Sequence, residues 1–280
     1  MTVDFRNPAD ILVVHGVEVS EDAKIEAAKQ IETLVNRALL ESHIIDKQFT
    51  VKGFFYEDIN DASQRFYQAI AAAITAGHPL EGVILKNVID LVGDVVTAAI
   101  DNSTAALIRT KLREAILESY DNGRQLILVS HSLGTVYGLD AIVELMKDQD
   151  YFHGDDVSTW PVRGFVTMGS PLGLALQIGD VKIFDKRQVA GISGAEYTVF
   201  PWHNYYNPLD PIVSGHVFGS PVTLEGARGP VEQRYGPDLL NTNWKLRGHA
   251  VTSGNQWLAA HVQYWTNPHI GDQILDMLWG

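Results

Sequence analysis

The run LILVSHSLGT (126–135) ends an apolar stretch in two serines flanking a histidine, then Gly-Thr. A serine hydroxyl becomes a nucleophile when a base takes its proton and the backbone holds it clear of its own strand. A sharp strand-to-helix turn does the second, and it needs small residues two places before and two places after the nucleophile. Counted from Ser132, those places hold Ser130 and Gly134, both small; counted from Ser130, they hold Leu128 and Ser132, and Leu128 would crowd the turn. Ser132 is therefore the candidate nucleophile and Ser130 its small neighbour. S-x-S-x-G alone also fits a plain surface turn. Its place after an apolar run and before an amphipathic one points to chemistry.

An activated serine needs a histidine base, a carboxylate that holds the histidine in one tautomer, and donors for the oxyanion. In one known arrangement built on such a turn, the acid and then the histidine follow the serine in the chain. Asp210, in NPLDP, lies just past an expected strand, between Pro208 and Pro211, which stiffen its loop. Asn, Pro and Asp also favour plain turns. Asp180, Asp185 and Asp238 lie where no strand is evident. Six histidines follow Ser132: His153, His203, His216, His249, His261 and His269. The first two precede Asp210, His216 follows it too closely, and His269 falls in the first turn of a terminal helix. His261, in WLAAHVQYW, is the preferred base and His249, in KLRGHAV, the alternative. The N–H after the nucleophile, that of Leu133, is one oxyanion donor. The second is expected after an early strand, where Gly16 in VVHG lets the Val17 N–H turn toward the site.

The elements that would carry these residues alternate. ILVVHG (11–16), FTVKGFFY (49–56), QLILVS (125–130), VRGFVTM (162–168) and AEYTVFPWHNYY (195–206) read as strands. Residues 21–42, 61–76, 83–119, 135–148 and 267–279 read as helices, and 214–248 as irregular. Continuous apolar runs alternating with amphipathic helices imply an α/β fold, a mostly parallel sheet covered by helices, in a single domain over 1–280. Residues 83–120 either cap the site or pack as outer helices.

Composition narrows the class of function. The 280 residues carry 21 basic and 34 acidic side chains, a net charge of −13. That balance removes a nucleic-acid footprint. With no cysteine, disulfides, thiolate catalysis and Cys-ligated metals are excluded. The first residues lack a basic region and a long apolar stretch, so a cytoplasmic protein is expected. The most apolar region, 83–100, is broken by Lys86, Asp90 and Asp94 and is not expected to span a membrane. The aromatics Trp202, Tyr205, Tyr206, Trp257, Tyr264 and Trp265 either line a pocket or belong to the core.

In their order, VVHG, SHSLG, TMGSPL (167–172), YNPLDP and H-x-x-Y-W (261–265) resemble the α/β-hydrolase superfamily, most of all its lipase and esterase branches, from residue 11 to about 275. Ser130 stands where the usual G-x-S-x-G has its first glycine. The resemblance implies Ser132 as nucleophile, His261 as base, Asp210 as orienting acid, and Val17 and Leu133 as oxyanion donors. It implies a carboxylic ester as substrate, with no metal and no organic cofactor. The same triad would serve an acyltransferase or thioesterase. A non-catalytic binding protein on this fold would instead leave the triad atoms apart.

Overall fold

A computed structural model of the chain describes residues 3–4, 6–16, 21–56, 103–146, 148, 150–151, 160–170, 201–207, 210, 246–251 and 259–280. The expected helix at 61–76, residues 83–102 and 195–200, and most of 214–248 lie outside them. The described strands are β1 (Ala9–Val14), β2 (Phe49–Phe54), β3 (Leu126–His131), β4 (Val162–Met168), β5 (Trp202–Tyr206) and β6 (Leu246–Ala250). The helices are α1 (Glu21–Glu41), α2 (Ser103–Asp121), α3 (Gly134–Met146), α4 (Ala259–Val262) and α5 (Pro268–Trp279), with a 3₁₀ turn at Gln263–Thr266 between the last two.

The strands form one sheet in the order β2-β1-β3-β4-β5-β6, every pair parallel. This is the expected α/β architecture. β1 and β3 are buried at every residue, as strands covered on both faces must be. On one face Ile11, Val13, Ile127, Val129, Val166 and Tyr205 pack against Ile31 and Val35 of α1 and Ile270 and Ile274 of α5. On the other, α3 approaches so closely that a Cβ on Gly138 would lie 2.7 Å from Ser130 Oγ. α5 starts where Pro268 supplies a first residue needing no N–H partner and the Asn267 side chain accepts from the His269 N–H.

The chain winds from β1 out to β2 and returns across β1 to β3. In open parallel sheets this reversal leaves a crevice beyond the carboxyl ends of the two strands, where ligands bind. His15-Gly16 leaves β1 at that crevice, and Ser132 leaves β3.

One expectation is corrected. Residues 246–248, the end of the stretch read as irregular, belong to β6, which pairs parallel to β5 from Trp202↔Leu246 to Tyr206↔Ala250. Leu-Arg-Gly-His-Ala has no apolar run, and only the open edge of β5 makes it a strand. Of the two alternatives for 83–120, the described part, 103–121, packs as an outer helix. Ile108, Leu112, Ile116 and Tyr120, at i,i+4 spacing, are buried as α2 packs against α3 and β3.

Candidate active site

Ser132 follows β3 in the left-handed backbone region, with φ of 53°. A non-glycine residue there stores on the order of 1–2 kcal/mol of strain and persists only where its surroundings fix it. They do so here. Ser132 N–H donates to Met168 O at 2.9 Å, and Ser132 O accepts from Thr135 N–H at 3.0 Å and from Thr135 Oγ1 at 2.7 Å. Gly16 leaves the room this turn needs, since a Cβ there would lie 2.6 Å from Ser132 Cβ and 3.2 Å from its Oγ. Ser130, the other serine, is fully buried, and its hydroxyl has no partner among the described residues. It fills space; it does not face the crevice.

His261 lies in α4, and its Nε2 is 2.9 Å from Ser132 Oγ. Its Nδ1 is 2.8 Å from Asp210 Oδ2. A carboxylate oxygen only accepts, so Nδ1 carries the proton and Nε2 is left to accept from the Ser132 hydroxyl. Ser132, His261 and Asp210 are 4%, 5% and 0% exposed, so this relay is shielded from water, and charge changes along it are felt strongly. The Asp210 N–H donates to Asn207 O at 2.9 Å, which closes the turn after β5 and aims the carboxylate at α4.

Three further residues, given no role of their own in the sequence reading, hold this geometry. The Tyr264 hydroxyl donates to Asp210 Oδ2 at 2.8 Å and accepts from Asn207 N–H at 2.9 Å. Burial, then the Asp210 charge, pushes its ionisation well above the usual phenol range, so it stays a neutral donor. His131 Nε2–H donates to the His261 carbonyl at 2.7 Å. Burial first, then the charges of His261 and His15, hold His131 well below the usual imidazole range, and it remains neutral. Its ring lies 4.7 Å from His261 and 5.1 Å from Trp265, which stacks on His15 at 4.9 Å. Gly169, with φ of 55°, leaves β4 beneath His261, and a Cβ there would be 3.0 Å from the ring Nδ1 and Cε1. The i,i+3 spacing of His261 and Tyr264 was a readable signal for one shared partner. Nothing local marked His131 or Gly169.

His249 is placed elsewhere. It lies on β6, its Nε2 is 2.9 Å from His203 Nδ1, and its ring stacks on Tyr205 at 4.7 Å. His269 sits in the first turn of α5, its Nδ1 3.0 Å from the Tyr205 hydroxyl. Val17 is outside the described residues, as are Asp180, Asp185, Asp238, His153, His216 and Trp257. Leu133 is buried at the start of α3, and its N–H has no hydrogen-bond partner among the described residues. Trp202, Tyr205, Tyr206 and Trp265 are buried, as is Tyr264, whose hydroxyl meets Asp210. A cavity of about 430 Å³ lined by Arg6, Lys47 and Trp279 lies at the amino ends of β1 and β2, away from these side chains.

Among the described residues no group of His, Asp and Glu is arranged to hold a metal ion, and no helix is long and apolar enough to cross a membrane. No protein-family model matches the chain. No curated protein matches it either. Among solved structures, a cutinase-like protein from Cryptococcus sp. aligns over 100% of this chain and 99% of that one, with 12% identity and a TM-score of 0.42.

Proposed function

We propose that the chain is a serine hydrolase of the α/β-hydrolase type that cleaves carboxylic esters through an acyl-enzyme on Ser132. One observation carries the reading: a serine on a strained strand-to-helix turn, its Oγ 2.9 Å from an imidazole nitrogen whose other nitrogen is 2.8 Å from a buried carboxylate. A hydroxyl has no such need for a buried histidine and a buried acid unless its proton is to move.

Ser132 Oγ attacks the acyl carbon as its proton passes to His261 Nε2, and the Asp210 carboxylate stabilises the imidazolium that forms. The carbonyl oxygen becomes an oxyanion beside the Leu133 N–H, with the Val17 N–H as the expected second donor. Each such donor is worth about 3–4 kcal/mol of transition-state stabilisation. His261 then returns the proton to the departing alkoxide, and water repeats the sequence to release the acid. A non-catalytic binding protein would leave Ser132 and His261 apart, and their separation argues against it. Acyltransferase and thioesterase reactions use the same acyl-enzyme; product ratios with an added alcohol or a thioester substrate distinguish them.

The test is hydrolysis of short- and medium-chain p-nitrophenyl esters by wild type, Ser132→Ala, His261→Ala and His249→Ala. The first two variants should lose on the order of 10⁶ in kcat, and His249→Ala should keep its activity. Loss in His249→Ala alone would reassign the base. Wild-type protein that neither turns over any of these esters nor labels with a fluorophosphonate would sink the reading.

A further inference from the structure

Asp210 Oδ2 is the acceptor of two hydrogen bonds, from His261 Nδ1 at 2.8 Å and from the Tyr264 hydroxyl at 2.8 Å. The phenol has its direction fixed. Its oxygen already accepts from Asn207 N–H at 2.9 Å, so its proton can only point to the carboxylate. His261 lies in the last turn of α4 and Tyr264 in the 3₁₀ turn that continues it, and residues three apart along a helix share one side. The two donors therefore compete for one oxygen.

We propose that Tyr264 is a positioning residue that sets the basicity of His261 by sharing Asp210 Oδ2, rather than a core aromatic that happens to lie nearby. This rests on the serine-hydrolase reading of the same site. The sign follows from the competition. The phenol proton draws electron density from Oδ2 and weakens its hold on Nδ1–H, which makes the imidazolium harder to form. Without the phenol, Oδ2 holds Nδ1–H more strongly, the imidazolium is easier to form, and the base is protonated at higher pH. Among the described residues, the other titratable groups facing His261 are His131, at the end of β3, with His15 behind it just after β1. His131 is neutral and meets His261 through its Nε2–H on the backbone carbonyl, and among the described residues the hydrogen-bond acceptor of His261 Nδ1–H is Asp210 Oδ2.

The experiment is the pH dependence of kcat/KM for p-nitrophenyl butyrate with the full chain, comparing wild type, Tyr264→Phe and Ser132→Ala, with folded fraction followed by circular dichroism. Ser132→Ala should be inactive. In Tyr264→Phe the acid limb should move to higher pH by about half a unit, an approximately threefold loss of kcat/KM at a pH on that limb. A merely structural role would lower the folded fraction or the plateau and leave the limb in place. Because Phe also strands the Asn207 N–H, a second variant carries 3-fluorotyrosine at 264, a stronger donor, and should move the limb the opposite way. Limbs that coincide with wild type in both variants, or a reversed sign, overturn the role of Tyr264 while an inactive Ser132→Ala keeps the serine reading. An active Ser132→Ala overturns that reading and this inference with it.

Discussion

Gly169→Ala puts a methyl group where His261 already stands. The ideal Cβ lies 3.0 Å from both Nδ1 and Cε1 of the ring and 2.9 Å from Tyr264 Cε2, about 0.5 Å or more inside ordinary contact. The ring cannot simply retreat. Its two nitrogens are fixed at 2.9 Å to Ser132 and 2.8 Å to Asp210, and the carbonyl of the same residue is held at 2.7 Å by His131. A shift of about 0.5 Å would stretch one of the ring's bonds toward 3.4 Å, beyond the usual range for a good hydrogen bond. Since a misplacement of about 1 Å can cost 10²-fold in rate, a fall in kcat of about 10-fold or more is expected. The left-handed backbone at φ 55° adds on the order of 1–2 kcal/mol for any residue with a Cβ. Together with the crowding, that should lower the melting temperature by roughly 5 °C. The measurement is kcat per active site, with fluorophosphonate titration counting competent sites and circular dichroism confirming the folded state. A folded Gly169→Ala protein with wild-type kcat would show that the ring has room, and the reasoning from close approach would be refuted.

Asp210→Asn replaces the acceptor of Nδ1–H with a group that can also donate, which allows the wrong imidazole tautomer; kcat should fall by about 10⁴, and a loss under tenfold would argue that Asp210 does not orient His261. Ser130→Ala removes a buried hydroxyl that lies against Gly138 of α3 and has no partner among the described residues. It should be neutral or stabilising by up to about 1 kcal/mol in urea titration, with activity retained; a loss above 1 kcal/mol would reveal a partner for that hydroxyl.

Much of the architecture was legible because parallel strands buried on both faces write themselves as apolar runs. β1, β3 and β4 stand close to where ILVV, LILV and VRGFVTM put them, and α5 begins at its Asn-Pro signal. β6 was not legible. Its five residues carry no strand pattern, and the free edge of β5 supplies what they lack. The segment 103–121 was readable as helical, but its sequence left cap and outer helix as alternatives, since amphipathicity gives a face without naming what covers it.

The same division runs through the candidate site. Local chemistry in the sequence was enough to prefer Ser132 to Ser130, because the size of residues two places away decides whether the turn can form. Chain order and loop stiffness singled out Asp210, and order left His261 and His249 as alternatives. What the tertiary structure decided was convergence: the Ser132 hydroxyl after β3, the Asp210 carboxylate from the turn after β5 and the His261 ring of α4, linked by hydrogen bonds of 2.9 and 2.8 Å. It also supplied the supports at Tyr264, His131 and Gly169, which touch the relay across separations of up to 130 residues in the chain. Sequence carries the periodicities that make elements. Which atoms meet depends on how those elements stack and on which edges stay open, and that is settled by packing over the whole sheet.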